Sequence, residues 1–165
     1  MTDYISAQRL QLVHPLLAQK IGALDTALIA QGELIRVVQG LRKWEDQQRI
    51  YAQGRTTPGQ IVTNAPPGHS MHEFGLAVDC MPSLNPPALA YKPDDVGGSP
   101  RYISMRAAAE SIGLVSGSRW IHVPDWPHLQ LPNMPASPTD QMRADFASGG
   151  TAKVWQNYDA GAYQV

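Results

Sequence analysis

The sequence predicts an α+β fold in which helices flank a small antiparallel sheet. Apolar residues recur at three- and four-residue spacing between Ser6 and Gln31, which is the period of a helix with one buried face. Short β-rich or apolar segments occur at 34–38, 76–81 and 129–131 and indicate strands. Two Ser-Pro pairs each offer an N-cap residue followed by a proline at the first helical position. Helices therefore alternate with short strands along the chain.

Several of the predicted helices have a local signal at one of their ends. Pro15 divides the first helical region into two helices, and Gly32 ends the second. Gly54 is the predicted C-terminal cap of a third helix. In chain order the elements are helices in 6–31, a strand at 34–38, a helix at 43–53, a strand at 76–81, a helix at 99–113, a strand at 129–131, and a helix from 137 to Gly149-Gly150 that is followed by a short tail. Glycine and proline are concentrated at 54–68, 82–100 and 124–138, which predicts loops within one domain.

Length and composition limit the classes of protein that remain. A chain of 165 residues and 18.0 kDa predicts a single domain over 1–165, with a short C-terminal helix and tail from about residue 137. Apolar residues make up 43% against 16% charged, which is enough for a core. The net charge of -1 and the pI near 6.5 argue against nucleic acid or anionic lipid as a partner. We expect a monomer.

Two further features concern the cellular compartment and the redox chemistry. The segment Met1–Ser6 has neither the basic nor the apolar region of a secretory signal peptide. No apolar run approaches the roughly 20 residues that span a bilayer. We therefore expect synthesis in the cytoplasm and no membrane partner. Cys80 is the only cysteine, so a metal site would need histidine and carboxylate ligands.

The densest group of reactive side chains lies between Ser70 and Asp79, inside otherwise apolar sequence. A lone histidine such as His72 is more often structural than a ligand, but Asp79 in an apolar strand would be costly without a cation or a metal beside it. Seven residues of straight strand would separate the two side chains by about 23 Å. The chain must therefore bend if both bind one ion, and Gly75 permits such a turn.

A second group, Trp120 to Gln130, supplies a third imidazole and another acid. Three protein ligands leave a tetrahedral zinc ion one position for water, and Asp125, three residues before His128, could hold and deprotonate that water. The alternative is that Asp125 caps the Trp126-Pro127 turn and His128 fills a pocket. The first interpretation predicts a hydrolase.

These residues resemble those of a known family. The pattern Ser-x-His-x-x-Gly-x-Ala-x-Asp at Ser70–Asp79, followed by acid-x-x-His at Asp125–His128, is similar to the zinc-dependent M15 peptidases, which share a fold with D-Ala-D-Ala peptidases and the hedgehog signalling domain. Other segments resemble phage L-alanyl-D-glutamate endopeptidase endolysins, namely Leu12–Pro15, Gly40–Arg42, Gln47 and Ile50–Thr56. The resemblance covers about Leu10 to Gln130.

The resemblance implies a role for each matching residue. It implies zinc bound by His72, Asp79 and His128, with Asp125 as general base and acid. Many relatives have glutamate at the position of Asp125, so the shorter aspartate is a departure from their pattern. Arg42 would bind a substrate carboxylate or the developing oxyanion; the alternative is a surface arginine. The resemblance also implies that Gln47 and Ser70 support the substrate; the alternative for Ser70 is that it only caps a turn.

The remaining polar and aromatic residues near these motifs receive structural interpretations. His69 and His122 are expected to face solvent, and Glu73 is expected to point away from the ligand His72. Cys80 is predicted to be a buried, inert thiol because its neighbours are apolar. Trp120 and Trp126 could form a wall of a peptide groove or pack in the core.

The leading prediction is a zinc peptidase that cuts a stem peptide of bacterial peptidoglycan between L-Ala and a D-configured glutamate. It would be a phage or prophage lysin that reaches the cell wall after release from the cytoplasm. One alternative is a D-Ala-D-Ala carboxypeptidase or dipeptidase. Another is a non-catalytic wall-binding module in which zinc only holds the fold, but such a module needs no base at Asp125. A phage tail protein carrying the same peptidase is a further variant.

Overall fold

A computed structural model describes residues 3–83 and 98–165. Within these ranges the chain forms five α-helices, two 3₁₀ helices and four strands, which confirms the α+β prediction. In chain order they are α1 (Tyr4–Leu10), α2 (Pro15–Ile29), β1 (Leu34–Gln39), α3 (Trp44–Ala52), a first 3₁₀ helix (Met71–Phe74), β2 (Ala77–Ser83), α4 (Pro100–Ser111), β3 (Val115–Ser116), a second 3₁₀ helix (Gly117–Arg119), β4 (His128–Gln130) and α5 (Asp140–Asp159). Of the loop predicted at 82–100, residues 84–97 lie outside the described residues.

The described residues divide into two compact units, and the first, Met1–Gly40 with Ala77–Pro132, contains the sheet. In the part of the chain described, its four strands have the order β1-β2-β4-β3, and each neighbouring pair is antiparallel. Buried apolar side chains of α2, α4 and the strands form the core of this unit. Among them are Leu17, Ile21, Leu24, Leu28, Val37, Val78, Cys80, Met105 and Leu129.

Local signals explain where several helices of this unit begin. Proline at the first position of α2 interrupts the first helical region, and the side chain of His14 accepts the N–H of Leu16 at 3.1 Å as its N-cap. Ser99 caps α4 in the same way, ahead of Pro100. Both boundaries agree with the sequence predictions.

The second unit, Leu41–Leu76 with Asn133–Val165, contains α3, the first 3₁₀ helix and α5. Its centre is an aromatic cluster in which the ring of Phe146 stacks on Trp44 with centroids 5.4 Å apart and meets Phe74 edge-on at 5.3 Å. The prediction of one domain over 1–165 stays a prediction.

The C-terminal region differs from its prediction. The last helix begins after the N-cap Thr139 rather than at 137, and it does not end at Gly149-Gly150. The two glycines leave helical geometry, Gly150 with φ 63°, and the chain then continues as helix to Asp159. The predicted tail is therefore helical, because its buried Val154 and the indole N–H of Trp155, which donates to the carbonyl of Phe74 at 2.8 Å, attach it to the unit.

Strand β3 was not predicted, since two residues carry no periodic pattern. Val115 and Ser116 pair with Gln130 and Leu129 of β4. No helix within 3–83 and 98–165 combines the length and the apolar character that a membrane span requires.

Candidate metal centre and active site

Asp79 and His128 are cross-strand partners although 49 positions separate them in sequence. They lie directly opposite each other in the antiparallel pair β2–β4, so their side chains project from the same face. A carboxylate oxygen of Asp79 lies 3.7 Å from Nδ1 of His128. The His128 side chain is buried and Asp79 is half-buried.

His72 lies in the first 3₁₀ helix and is 3% exposed. Gly75 ends this helix in the left-handed conformation, with φ 67°, and its N–H donates to the carbonyl of His72 at 3.2 Å. An L-residue with a side chain adopts this conformation only at a cost, so the glycine accounts for the sharp turn into β2. The predicted bend between His72 and Asp79 is confirmed.

The side chains of His72, Asp79 and His128 each offer a ligand atom, and these atoms all lie within 4.8 Å of one another. The 3.7 Å between Asp79 and His128 exceeds the 2.7–3.2 Å of an N–H···O hydrogen bond. It is close to the roughly 3.4 Å that separates two ligands lying 2.0–2.2 Å from a tetrahedral ion. Two imidazoles and one carboxylate are a ligand set that zinc accepts. The residues present therefore fit a divalent metal.

The electrostatic surroundings of His128 connect metal binding to pH. Burial of the ring lowers the pKa of His128, but the adjacent Asp79 carboxylate, together with Gln130 and Asp125, outweighs it, so the pKa lies above its usual value. A proton on the ring competes with a metal for the same nitrogen. Metal affinity is therefore expected to fall as the pH drops through this raised pKa.

Asp125 lies in the turn that leads into β4 and is half-buried. Its N–H donates to the carbonyl of Gly117 at 3.0 Å, and its own carbonyl accepts the N–H of His128 at 3.3 Å. The backbone of Asp125 thus closes the turn before His128. Its carboxylate is close enough to His128 to contribute to the raised pKa of that ring.

Gly117 is a residue that the sequence analysis missed. A Cβ atom added at this position would lie 2.8 Å from the carbonyl oxygen of Asp125 and 2.9 Å from Cβ of His128. The carbonyl of Gly117 also accepts the N–H of Trp120 at 3.0 Å. The turn therefore needs a glycine for steric reasons, and nothing local in the sequence reveals a clash with residues eight and eleven positions away.

Arg42 is held by its backbone and its side chain. Its N–H donates to the carbonyl of His72 at 3.0 Å, and its guanidinium donates to the Gln47 side-chain oxygen at 2.9 Å. Gln47 is fully buried and donates in turn to the carbonyl of Ala65 at 2.7 Å. The half-buried Arg42 therefore has a defined position beside the candidate ligand His72. Gln47 is connected to the site through its hydrogen bond with Arg42.

Glu73 is the second residue whose role the sequence did not indicate. It is 1% exposed, and its carboxylate accepts the N–H groups of Gly68 at 2.9 Å and Ser70 at 3.0 Å. Burial raises the pKa of Glu73, against these hydrogen bonds and the nearby Arg42. Glu73 thus fixes the loop that carries Ser70. The hydrogen bond from the Ser70 N–H to Glu73 agrees with the alternative in which Ser70 caps a turn.

The other residues considered from sequence take largely structural places. His69 and His122 are exposed, as predicted. Cys80 is fully buried, and burial together with the Asp79 charge raises the pKa of its thiol, so it is inert. The Trp120 ring lies 4.9 Å from the His128 ring, whereas Trp126 meets Tyr102 edge-on at 6.2 Å.

Comparisons with known proteins identify relatives of the chain. The family described as "VanY: D-alanyl-D-alanine carboxypeptidase" matches residues 10–117. This range includes Arg42, His72 and Asp79 and ends before Asp125 and His128.

One curated relative is the peptidoglycan L-alanyl-D-glutamate endopeptidase CwlK of Bacillus subtilis (strain 168). It is 31% identical over 122 residues, which cover 72% of this chain and 73% of CwlK. Among solved structures, the L-Ala D-Glu endopeptidase ChiX of Serratia marcescens matches with a TM-score of 0.56 and 21% identity, over 78% of this chain and 87% of ChiX. The ChiX match shows a shared fold.

Proposed function

The chain belongs to the VanY family of M15 peptidases, and from this membership we propose that it is a zinc-dependent peptidase of the peptidoglycan stem peptide, with His72, Asp79 and His128 as ligands. One observation carries the proposal: the ligand atoms of these three side chains lie within 4.8 Å of one another. Family membership by itself would not require the three residues to converge. Their convergence supports a working metal centre in this chain.

The proposed bond is the one between L-alanine and D-glutamate. The support is the 31% identity to CwlK, whose name states that specificity and which matches over almost three quarters of both chains. A second candidate is D-Ala-D-Ala carboxypeptidase activity, which is favoured by the description of the family that matches residues 10–117. The two candidates differ in their products, because only the carboxypeptidase releases a free terminal D-alanine.

His72, Asp79 and His128 would hold the metal ion, which when bound would act as a Lewis acid on the scissile carbonyl and would lower the pKa of water. The half-buried Asp125 takes the proton from the attacking water and passes it to the leaving amine. Asp125 suits this role because its backbone is fixed to both Gly117 and His128. Proton transfer by a positioned acid and base contributes on the order of 100- to 10,000-fold in rate.

Arg42 binds the substrate carboxylate or the oxyanion that develops on the carbonyl. Its planar guanidinium offers paired donors that an ammonium group lacks, and the bond to Gln47 keeps it in one orientation. Ser70 contributes a hydroxyl on the loop that Glu73 holds through backbone N–H groups. These two residues orient the stem peptide while Asp125 moves the proton.

The test combines metal content with product analysis. Purified protein is expected to contain one zinc per chain by elemental analysis, and a chelator is expected to remove both the zinc and the cleavage of purified peptidoglycan, with a lower Tm. Mass spectrometry of the digest should show new amino-terminal D-glutamate. His72→Ala should lose metal and activity together. Free D-alanine without new D-glutamate termini would select the carboxypeptidase.

Asp125→Asn separates an enzyme from a zinc-stabilised binding module. The variant is expected to keep zinc and its Tm while losing about 100-fold or more of the cleavage rate, because an amide cannot take the proton. Asp46→Asn, at an exposed carboxylate of α3, is the matched control and should cleave like the wild type. Loss of zinc from Asp125→Asn would make Asp125 a ligand. A wild type that binds zinc and peptidoglycan but releases no termini would be a binding module.

The proposed biological setting is a phage or prophage lysin that is made in the cytoplasm and reaches the wall after release. The support is the resemblance of Gly40–Arg42, Gln47 and Ile50–Thr56 to phage endolysins. Protein added to cells with permeabilised outer layers is expected to lower their turbidity, whereas cytoplasmic expression without a pore-forming partner should leave cells intact. Lysis from the inside without such a pore would contradict the proposal.

A further inference from the structure

Gln130 lies two positions after His128 on β4, so both side chains project from the same face of the sheet. Gln130 is 1% exposed, and its side-chain oxygen lies 3.0 Å from Nε2 of His128. The paired strands β2 and β3 lie on both sides of β4, with Ala77 and Val115 opposite Gln130. Gln130 is therefore a buried residue on a strand that is paired on both sides.

The hydrogen bond determines which ring nitrogen of His128 carries a proton. An amide oxygen only accepts, so Nε2 must be the N–H donor. In a neutral ring the other nitrogen, Nδ1, then carries no proton. That nitrogen lies 3.7 Å from a carboxylate oxygen of Asp79, the neighbouring candidate ligand. An imidazole nitrogen binds a metal only through a lone pair, so the Nε2–H tautomer is the one in which Nδ1 can be the ligand atom.

We propose that Gln130 is a positioning residue that holds His128 as the Nε2–H tautomer and thereby presents Nδ1 to the metal. The inference rests on the metal site of the proposed function, but it concerns an interaction that exists before any metal binds. Outer partners of ligating histidines typically change metal affinity by about 10- to 100-fold when they are removed. Gln130 does not touch the substrate in this role, and its effect reaches the reaction only through His128.

Two variants of similar size separate the hydrogen bond from the packing. Gln130→Met removes the acceptor while it keeps an unbranched side chain, and Gln130→Glu keeps an acceptor oxygen. The tautomer of His128 is read from ¹⁵N chemical shifts of the metal-free protein at a pH where the ring is neutral. The dissociation constant for zinc is measured by competition with a chelator, and the Tm of each metal-free variant shows whether it is folded.

We expect the Nε2–H tautomer in the wild type and in Gln130→Glu, with zinc dissociation constants within a few-fold of each other. In Gln130→Met we expect a mixture of tautomers and zinc binding weakened about 10- to 100-fold, with a Tm close to that of the metal-free wild type. An Nδ1–H tautomer in the metal-free wild type would overturn the inference. So would unchanged tautomer and affinity in Gln130→Met, or equal loss in Gln130→Met and Gln130→Glu, which would indicate packing alone.

The tautomer measurement also keeps this inference separate from the proposed function. If the wild type bound no divalent ion, the proposed metal centre would fail, and the spectrum of the metal-free protein would still report whether Gln130 selects the tautomer. If the wild type bound zinc but the tautomer did not depend on Gln130, the metal centre would stand and the role of Gln130 would be wrong.

Discussion

Gly117→Ala tests whether the turn before β4 positions both the proposed base Asp125 and the proposed ligand His128. The added methyl carbon would lie 2.8 Å from the carbonyl oxygen of Asp125 and 2.9 Å from Cβ of His128. Ordinary contact begins at 3.4 Å, so the nearest neighbour must move by about 0.6 Å. Both neighbours are attached to the backbone, and the Asp125 carbonyl also accepts the N–H of His128, so neither can yield by a simple side-chain rotation.

The expected cost has two parts. Overpacking of a closely packed position typically costs about 1–3 kcal/mol. For a chain of this length that corresponds to a fall in Tm of roughly 2–12 °C. A displacement of 1 Å at a catalytic group can cost about 100-fold in rate, so a shift of about 0.6 Å at Asp125 and His128 is expected to lower kcat/KM by roughly tenfold.

Gly22→Ala is the matched control because it adds the same methyl group inside α2, where, apart from the adjoining residues and the backbone of the helix itself, no atom of the described residues lies within 4 Å of the new carbon. Alanine is the better helix former by about 0.5–1 kcal/mol, so this variant should melt at the same temperature or higher and cleave like the wild type. Cleavage of peptidoglycan, zinc affinity and Tm are measured for both variants.

The reasoning would be refuted if Gly117→Ala kept wild-type kcat/KM and Tm. A lower Tm with unchanged zinc affinity and kcat/KM would also count against it, because the turn would then stabilise the fold without setting Asp125 and His128.

Two further predictions concern Arg42 and Asp145. Arg42→Lys is expected to lower kcat by about 100-fold with little change in Tm, because an ammonium cannot replace the guanidinium contact, and wild-type kcat in a stem-peptide assay would remove Arg42 from the site. The pKa of Asp145 is lowered mainly by a hydrogen bond from Asn157, and also by the Tyr163 hydroxyl at 2.8 Å. The ionised carboxylate therefore stabilises the fold at a pH above its unfolded pKa, and this stabilisation is lost as the pH falls through its folded pKa. In urea denaturation at pH 7, Asp145→Asn should therefore have a free energy of unfolding about 1–3 kcal/mol below that of the wild type. The difference should shrink toward pH 3. A difference that stays constant with pH would exclude the pH-linked role.

Several boundaries and the key motif could be read from the sequence because their causes are local. The break at Pro15, the N-cap at Ser99 and the turn at Gly75 depend on dihedral angles and hydrogen bonds within one or two residues. The same holds for the buried, inert Cys80, whose apolar neighbours in the chain already indicate its surroundings.

The C-terminal helix shows where local signals fail. Gly149 and Gly150 do interrupt helical geometry, as their residue type predicts, but the chain resumes as helix beyond them. That continuation is stabilised by the burial of Val154 and by the hydrogen bond from Trp155 to Phe74, a contact across 81 positions. The helix propensity of the residues after Gly150 does not indicate such a contact.

The sequence by itself determined which residue types are available for a metal site and that the chain bends at Gly75 between His72 and Asp79. The tertiary structure alone decided that Asp79 lies opposite His128, since the register of β2 and β4 depends on packing between segments 49 positions apart. Within the second unit, folding buries Glu73 against the Gly68–Ser70 loop; within the first, it buries Gln130 and leaves no room for a side chain at Gly117. A sequence motif identifies the reactive side chains, because their chemistry depends on the residue type alone. The residues that support them can be identified only from distances that exist after the strands have paired.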